Sequence, residues 1–178
     1  NFKFQYGATA GVWATGGNLN TARQDIGGAG TQTAALAIGG SISPRAQTEL
    51  YNGTNWTEVN DLTTGRSAMG SAGTQTAALG FGGNNPAIPS TRMAQTETWN
   101  GTNWTEVNDL GTARYGGGSA GATNTAALNF GGIGPSGTTR VALTELWNGT
   151  NWTEVNDLNL SITRMGSAGT STAALGFG

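Results

Sequence analysis

Asn52-Gly-Thr-Asn-Trp-Thr-Glu-Val-Asn-Asp-Leu62 recurs without change at 100–110 and at 148–158, 48 residues apart each time. Outward from this segment, Thr-Ala-Ala-Leu recurs from Thr33, Thr76, Thr125 and Thr172. An Arg opens each unit, at Arg23, Arg66, Arg114 and Arg164. Self-similarity with a period of about 40–50 residues marks a repeat array, in which one supersecondary unit cannot bury its apolar face alone.

One unit, Arg66 to Leu110, divides into four strands. Ser67 to Gly73 is small and flexible, which suits an inner strand crowded by neighbouring backbone. A turn at 73–75 leads into the apolar run Thr76 to Phe81, closed by Gly82-Gly83. After a variable loop, Gln95 to Trp99 alternates with period two, as a half-buried strand does. Asn100-Gly101 predicts a type I′ hairpin, in which both central residues have φ > 0. Trp104 to Val107 is the fourth strand. The expected fold is all-β, a propeller of four-stranded antiparallel blades.

The double glycines Gly39-Gly40, Gly82-Gly83 and Gly131-Gly132 are each followed by an aromatic residue, Tyr51, Trp99 or Trp147. A Trp comes five residues later, at Trp56, Trp104 and Trp152, and an Arg opens the next unit. In this order the elements resemble the kelch motif over nearly the whole chain. The resemblance implies a kelch-like β-propeller.

Complete blades are expected at 23–62, 66–110 and 114–158, within one domain spanning 1–178. Residues 1–22 resemble a divergent third and fourth strand, with Tyr6 matching Tyr51 and Trp13 matching Trp56. Residues 164–178 resemble a first and second strand. Because an open sheet edge invites aggregation, the two halves are expected to pair as a fourth blade and close a four-bladed ring. Pairing of half-blades between chains, or further blades in a longer chain, are the alternatives. The chain begins at Asn1 rather than Met, as a processed chain or a piece of a longer one would.

Composition excludes several chemistries. The absence of Cys and His removes the usual ligands of zinc, copper and haem, together with Cys nucleophiles and Ser-His-Asp triads. No metal or other cofactor is expected. With net charge −2 and no basic stripe, nucleic acid is not an expected partner. No apolar run reaches the ~18 residues of a membrane span, so membrane insertion is not expected.

The repeated residues supply the candidate sites. Arg23, Arg66, Arg114 and Arg164 form a possible ligand rim; otherwise Arg66, Arg114 and Arg164, which follow Asp61, Asp109 and Asp157 by five to seven residues, form structural ion pairs or hydrogen bonds to strand ends. Glu58, Glu106 and Glu154 recur in matched positions and preserve the repeat symmetry that a catalytic pair would break. No catalytic residue is assigned. Asn52, Asn55, Asn100, Asn103, Asn148 and Asn151 all lie in N-glycosylation sequons. The Trp pairs flanking each hairpin are expected in the core between units rather than on a sugar-stacking platform.

The leading expectation is a non-enzymatic structural or adhesion module at an extracellular or virion surface. Its partners would be other copies of itself, other structural proteins, or cell-surface glycans. The repeats resemble kelch-like repeats of bacteriophage structural proteins, which implies a tail-fibre-like role; a fibril-forming subunit is related to this. The alternative is a carbohydrate-binding propeller using loops 41–47, 84–92 and 133–140, which vary between repeats.

Overall fold

The computed structural model describes residues 15–42, 45–85 and 92–178. Among these residues the chain is all-β, with no helix, and holds fourteen strands. The first unit comprises β1 (Gly27–Thr31), β2 (Ala34–Ile38), β3 (Thr48–Tyr51) and β4 (Trp56–Val59). The second comprises β5 (Gly70–Gly73), β6 (Ala78–Phe81), β7 (Thr96–Trp99) and β8 (Trp104–Val107). The third comprises β9 (Gly118–Thr123), β10 (Ala126–Phe130), β11 (Thr144–Trp147) and β12 (Trp152–Val155). Each is an antiparallel sheet in chain order. β13 (Gly166–Thr170) and β14 (Ala173–Phe177) form a separate two-stranded sheet. Among the described residues no sheet closes on itself.

The four first strands lie side by side, β1 against β5, β5 against β9 and β9 against β13. Serine hydroxyls tie them together. Ser71 Oγ donates to Gly28 O at 2.7 Å, Ser119 Oγ accepts from Ser71 N at 3.3 Å, and Ser167 Oγ accepts from Ser119 N at 3.1 Å. Close approach needs small residues. A Cβ on Gly118 would lie 2.3 Å from the Phe130 ring, and one on Gly166 2.4 Å from Phe177.

The hairpin between third and fourth strands departs from the expected type I′ turn. Gly101 has φ 93°, but Asn100 does not have positive φ, and the loop is four residues long, between the paired Trp99 and Trp104. The Asn100 side chain does the work that a second left-handed residue would have done. Its Oδ1 accepts from Thr102 N at 2.9 Å and Asn103 N at 2.8 Å, an Asx turn. Asn52 and Asn148 do the same.

Aromatic residues fill the core within and between units, as expected. Trp99 and Trp104 pack across their hairpin with centroids 5.4 Å apart, as do Trp147 and Trp152. Trp99 and Trp104 join Leu36 and Ile38 of the preceding unit in one buried cluster. Trp152 meets Phe81 edge-on at 4.8 Å. Trp104 Nε1 donates to Thr48 Oγ1, and Trp152 Nε1 to Thr96 Oγ1, both at 2.9 Å. The fourth-strand Trp of the second and of the third unit thus bonds to the third strand of the unit before it, whereas Trp56 Nε1 donates to Gly17 O at 3.0 Å.

The double glycines also act between units. Gly83, at φ 107°, donates to Arg114 O at 2.9 Å, and a Cβ there would lie 2.9 Å from Ser67 O. Gly40 donates to Arg66 O and Gly132 to Ile162 O.

Residues 15–22 continue the pattern ahead of the first unit. Asn20 N donates to Glu49 Oε2 as Thr63 N does to Glu97 and Gly111 N to Glu145. Gly17 therefore occupies the register position of Asn60 and Asn108, whose side chains bond to the next unit's hairpin. A Cβ on Gly17 would lie 2.4 Å from Thr54 O of that same hairpin. The segment 1–14, with Tyr6 and Trp13, lies outside the described residues, as does any pairing of 1–6 with β14.

Gly118→Ala is expected to destabilise the fold by about 1–3 kcal/mol, because Phe130 is buried and cannot yield. Urea denaturation of the variant beside the parent chain measures that cost.

Candidate functional site

The arginine–glutamate pairs are the most buried charges. Arg23 pairs with Glu49 at 2.9 Å, Arg66 with Glu97 at 2.9 Å, and Arg114 with Glu145. The second carboxylate oxygen accepts the backbone N–H bonds from residues 20, 63 and 111 described above. Arg114 also donates to Asn129 O at 3.0 Å. Burial lowers the pKa of Arg66 from its ordinary value, and the charge of Glu97 opposes that shift. Arg23 is shifted the same way by burial, and the charge of Glu49 opposes the shift. The partner of each Arg is thus the third-strand Glu and not the preceding Asp. Asp61, Asp109 and Asp157 instead accept from Thr48, Thr96 and Thr144 N.

Glu58, Glu106 and Glu154 stand directly opposite Glu49, Glu97 and Glu145 in the ladders. Each unit therefore sets two carboxylates side by side, but one is held by a guanidinium and by backbone N–H groups. All six sequon asparagines are exposed. Asn103 and Asn151 Oδ1 accept from Asn60 and Asn108 Nδ2 at 2.7 and 2.8 Å, so these two also tie units together.

Arg164 does not belong with the other three arginines. Counting from the first glycine of each inner strand, Ile162 takes the place of Arg66 and Arg114, and both glycine-to-carbonyl bonds confirm this register. Arg164 instead aligns with Asp25, Ala68 and Gly116. These four residues share a left-handed backbone, with φ of 55° at Asp25, 50° at Ala68, 66° at Gly116 and 57° at Arg164. They are joined in series: Ala68 N donates to Asp25 O at 2.8 Å, Gly116 N to Ala68 O at 2.9 Å and Arg164 N to Gly116 O at 2.7 Å.

A cavity of about 590 Å³ opens where these four strand entries meet. Its wall takes Asp25 from the first unit, Ala68 from the second, Gly116 from the third and Arg164 from the fourth, with Gln24, Ser67, Asn84 and Tyr115 adding polar groups. Tyr115 is braced by Arg92, whose guanidinium lies 4.5 Å from the ring centroid. Arg92 also donates to Asn84 Oδ1 at 2.8 Å and to Gly137 O at 3.0 Å, joining two of the variable loops to the cavity wall. Residues 43–44 and 86–91 of those loops lie outside the described residues.

The sequence held a signal for this cavity. Alignment on the inner-strand glycines, rather than on the arginines, brings Asp25, Ala68, Gly116 and Arg164 into one column where otherwise similar copies differ in charge and size. Among the described residues no group of three potential metal ligands gathers. No protein-family model and no curated protein matches the chain.

Glu97→Ala leaves Arg66 as an unpaired charge at 0% exposure and should cost about 3–5 kcal/mol in chemical denaturation. Glu106→Ala, on the exposed strand opposite, should stay within about 0.5 kcal/mol of the parent.

Proposed function

We propose that the chain is a non-enzymatic recognition module, a kelch-like four-bladed β-propeller whose cavity at the inner-strand entries holds a ligand. The observation that carries this reading is the division of labour among its charges. The buried charges shared by the repeats are spent on internal pairs, whereas two charges that break the repeat, Asp25 and Arg164, face one cavity. Its volume lies within the roughly 300–1,000 Å³ of small-ligand sites. Variable loops on a repeated scaffold are where recognition is usually placed. The resemblance to kelch-like repeats of bacteriophage structural proteins favours an adhesive role at a virion or extracellular surface.

The ring is proposed to close by pairing 1–22 with 164–178. Two observations support it. Thr144 Oγ1 is buried without a hydrogen-bond partner, although its counterparts Thr48 and Thr96 each accept from the Trp of the following unit. By register that donor would be Trp13. Further, β14 is exposed throughout, with Leu175 at 63%, whereas its counterpart Leu79 in β6 is at 0%. A third and fourth strand laid on β14 would cover it.

Double-mutant cycles test the closure. Trp13→Phe and Thr144→Val should couple by about 1 kcal/mol, as should Trp104→Phe and Thr48→Val, in a chain that sediments as a monomer. Coupling in a dimer would place the exchange between chains, and no coupling would sink the closure. Recognition is checked on a glycan array, where the intact chain should give signals that Tyr115→Ala and Arg92→Ala both weaken. A silent array with a folded chain would count against it.

A further inference from the structure

We infer that the cavity selects a singly charged acidic sugar, a hexuronate or a glycan ending in one, with the Arg164 guanidinium receiving its carboxylate. This rests on the cavity being the recognition site. The first support is backbone strain. A long side chain at φ 57° is unfavourable, and the third unit fills the same position with Gly116. The fold does not need an arginine there. A residue held against its backbone preference is a reason to look for function.

The second support is charge. Among the described residues the three ion pairs all lie elsewhere, so the Arg164 guanidinium is not committed to a carboxylate of the chain. Arginine binds carboxylates through two parallel N–H bonds. Asp25 lines the same cavity and can accept only, which suits the hydroxyl donors of a sugar. Its charge offsets that of Arg164, so a dianion gains little there while a monoanion rich in hydroxyls gains from both. Tyr115, steadied by Arg92, offers a flat apolar face for the sugar ring.

Calorimetric titration of the intact chain with glucuronate, galacturonate, glucose and inorganic phosphate tests the assignment, beside the variant Arg164→Gly. That variant removes the guanidinium and restores the residue found at Gly116, so its thermal midpoint should hold or rise. At least one hexuronate should bind the parent roughly tenfold or more tightly than glucose, and lose that advantage in the variant. Glucose binding equal to both hexuronates would overturn the acid selectivity while leaving the cavity a sugar site. Phosphate matching the hexuronates would reduce the cavity to an anion site and overturn the assignment. A variant that keeps the preference would remove Arg164 from it, and binding of neither sugar class would overturn the recognition reading as well.

Discussion

A unit of this chain cannot bury its own aromatic face, and the next unit must do so. The sheets are only four strands wide, and their strands are four to six residues long. A fourth-strand Trp reaches across to the third strand of the preceding unit, where it finds both an apolar cluster and a threonine hydroxyl. The indole is well suited to this because one side chain supplies a large apolar area and a single N–H donor. Its burial leaves no orphan donor, and the threonine hydroxyl receives its bond. Stability in such an array is therefore a property of neighbours, with each interface adding a similar increment.

The buried Arg–Glu pairs follow from the same geometry. The strand entry of one unit must be joined to the exit of the last, and the joint exposes backbone N–H and C=O groups that no ladder satisfies. Glu97 accepts from Thr63 N on one side and from Arg66 on the other, so a single carboxylate serves the linker and the guanidinium together. Desolvating two charges is costly, and a buried pair is weak grounds for stability in itself. What the pair does here is fix where one unit's linker meets the next unit's sheet.

Much of this was legible in the sequence. The repeat period, the four strands, the double glycines and the aromatic pairs all follow from local residue chemistry, and the structure places them as read. The hairpin type was misread because Asn-Gly admits two solutions: a backbone turn with two left-handed residues, or an Asx turn in which the Asn side chain replaces one of them. The cavity was missed for a different reason. Arg164 falls two residues away from the position of Arg66 and Arg114, and matching residue type rather than register hid the shift. Contacts such as Trp104 to Thr48 join residues 56 apart, and no pattern along the chain announces them.

The replacement at Ile162 bears on how the proposed fourth blade is completed. Ile162 stands where Arg66 and Arg114 form their pairs, so the third strand that joins β13 and β14 should lack the matching Glu; a glutamate buried there would have no guanidinium. With Tyr6 aligned to Tyr51, the residue at the Glu49 position is Phe4. Both members of the ion pair are then replaced by apolar residues together, which is the substitution that buried pairs tolerate best. A hairpin borrowed from within the repeats would bring Thr-Glu to that position instead. In the proposed closure the fourth unit would thus match residues 1–22 and not the internal hairpins, so the copies could be nearly identical without exchanging places.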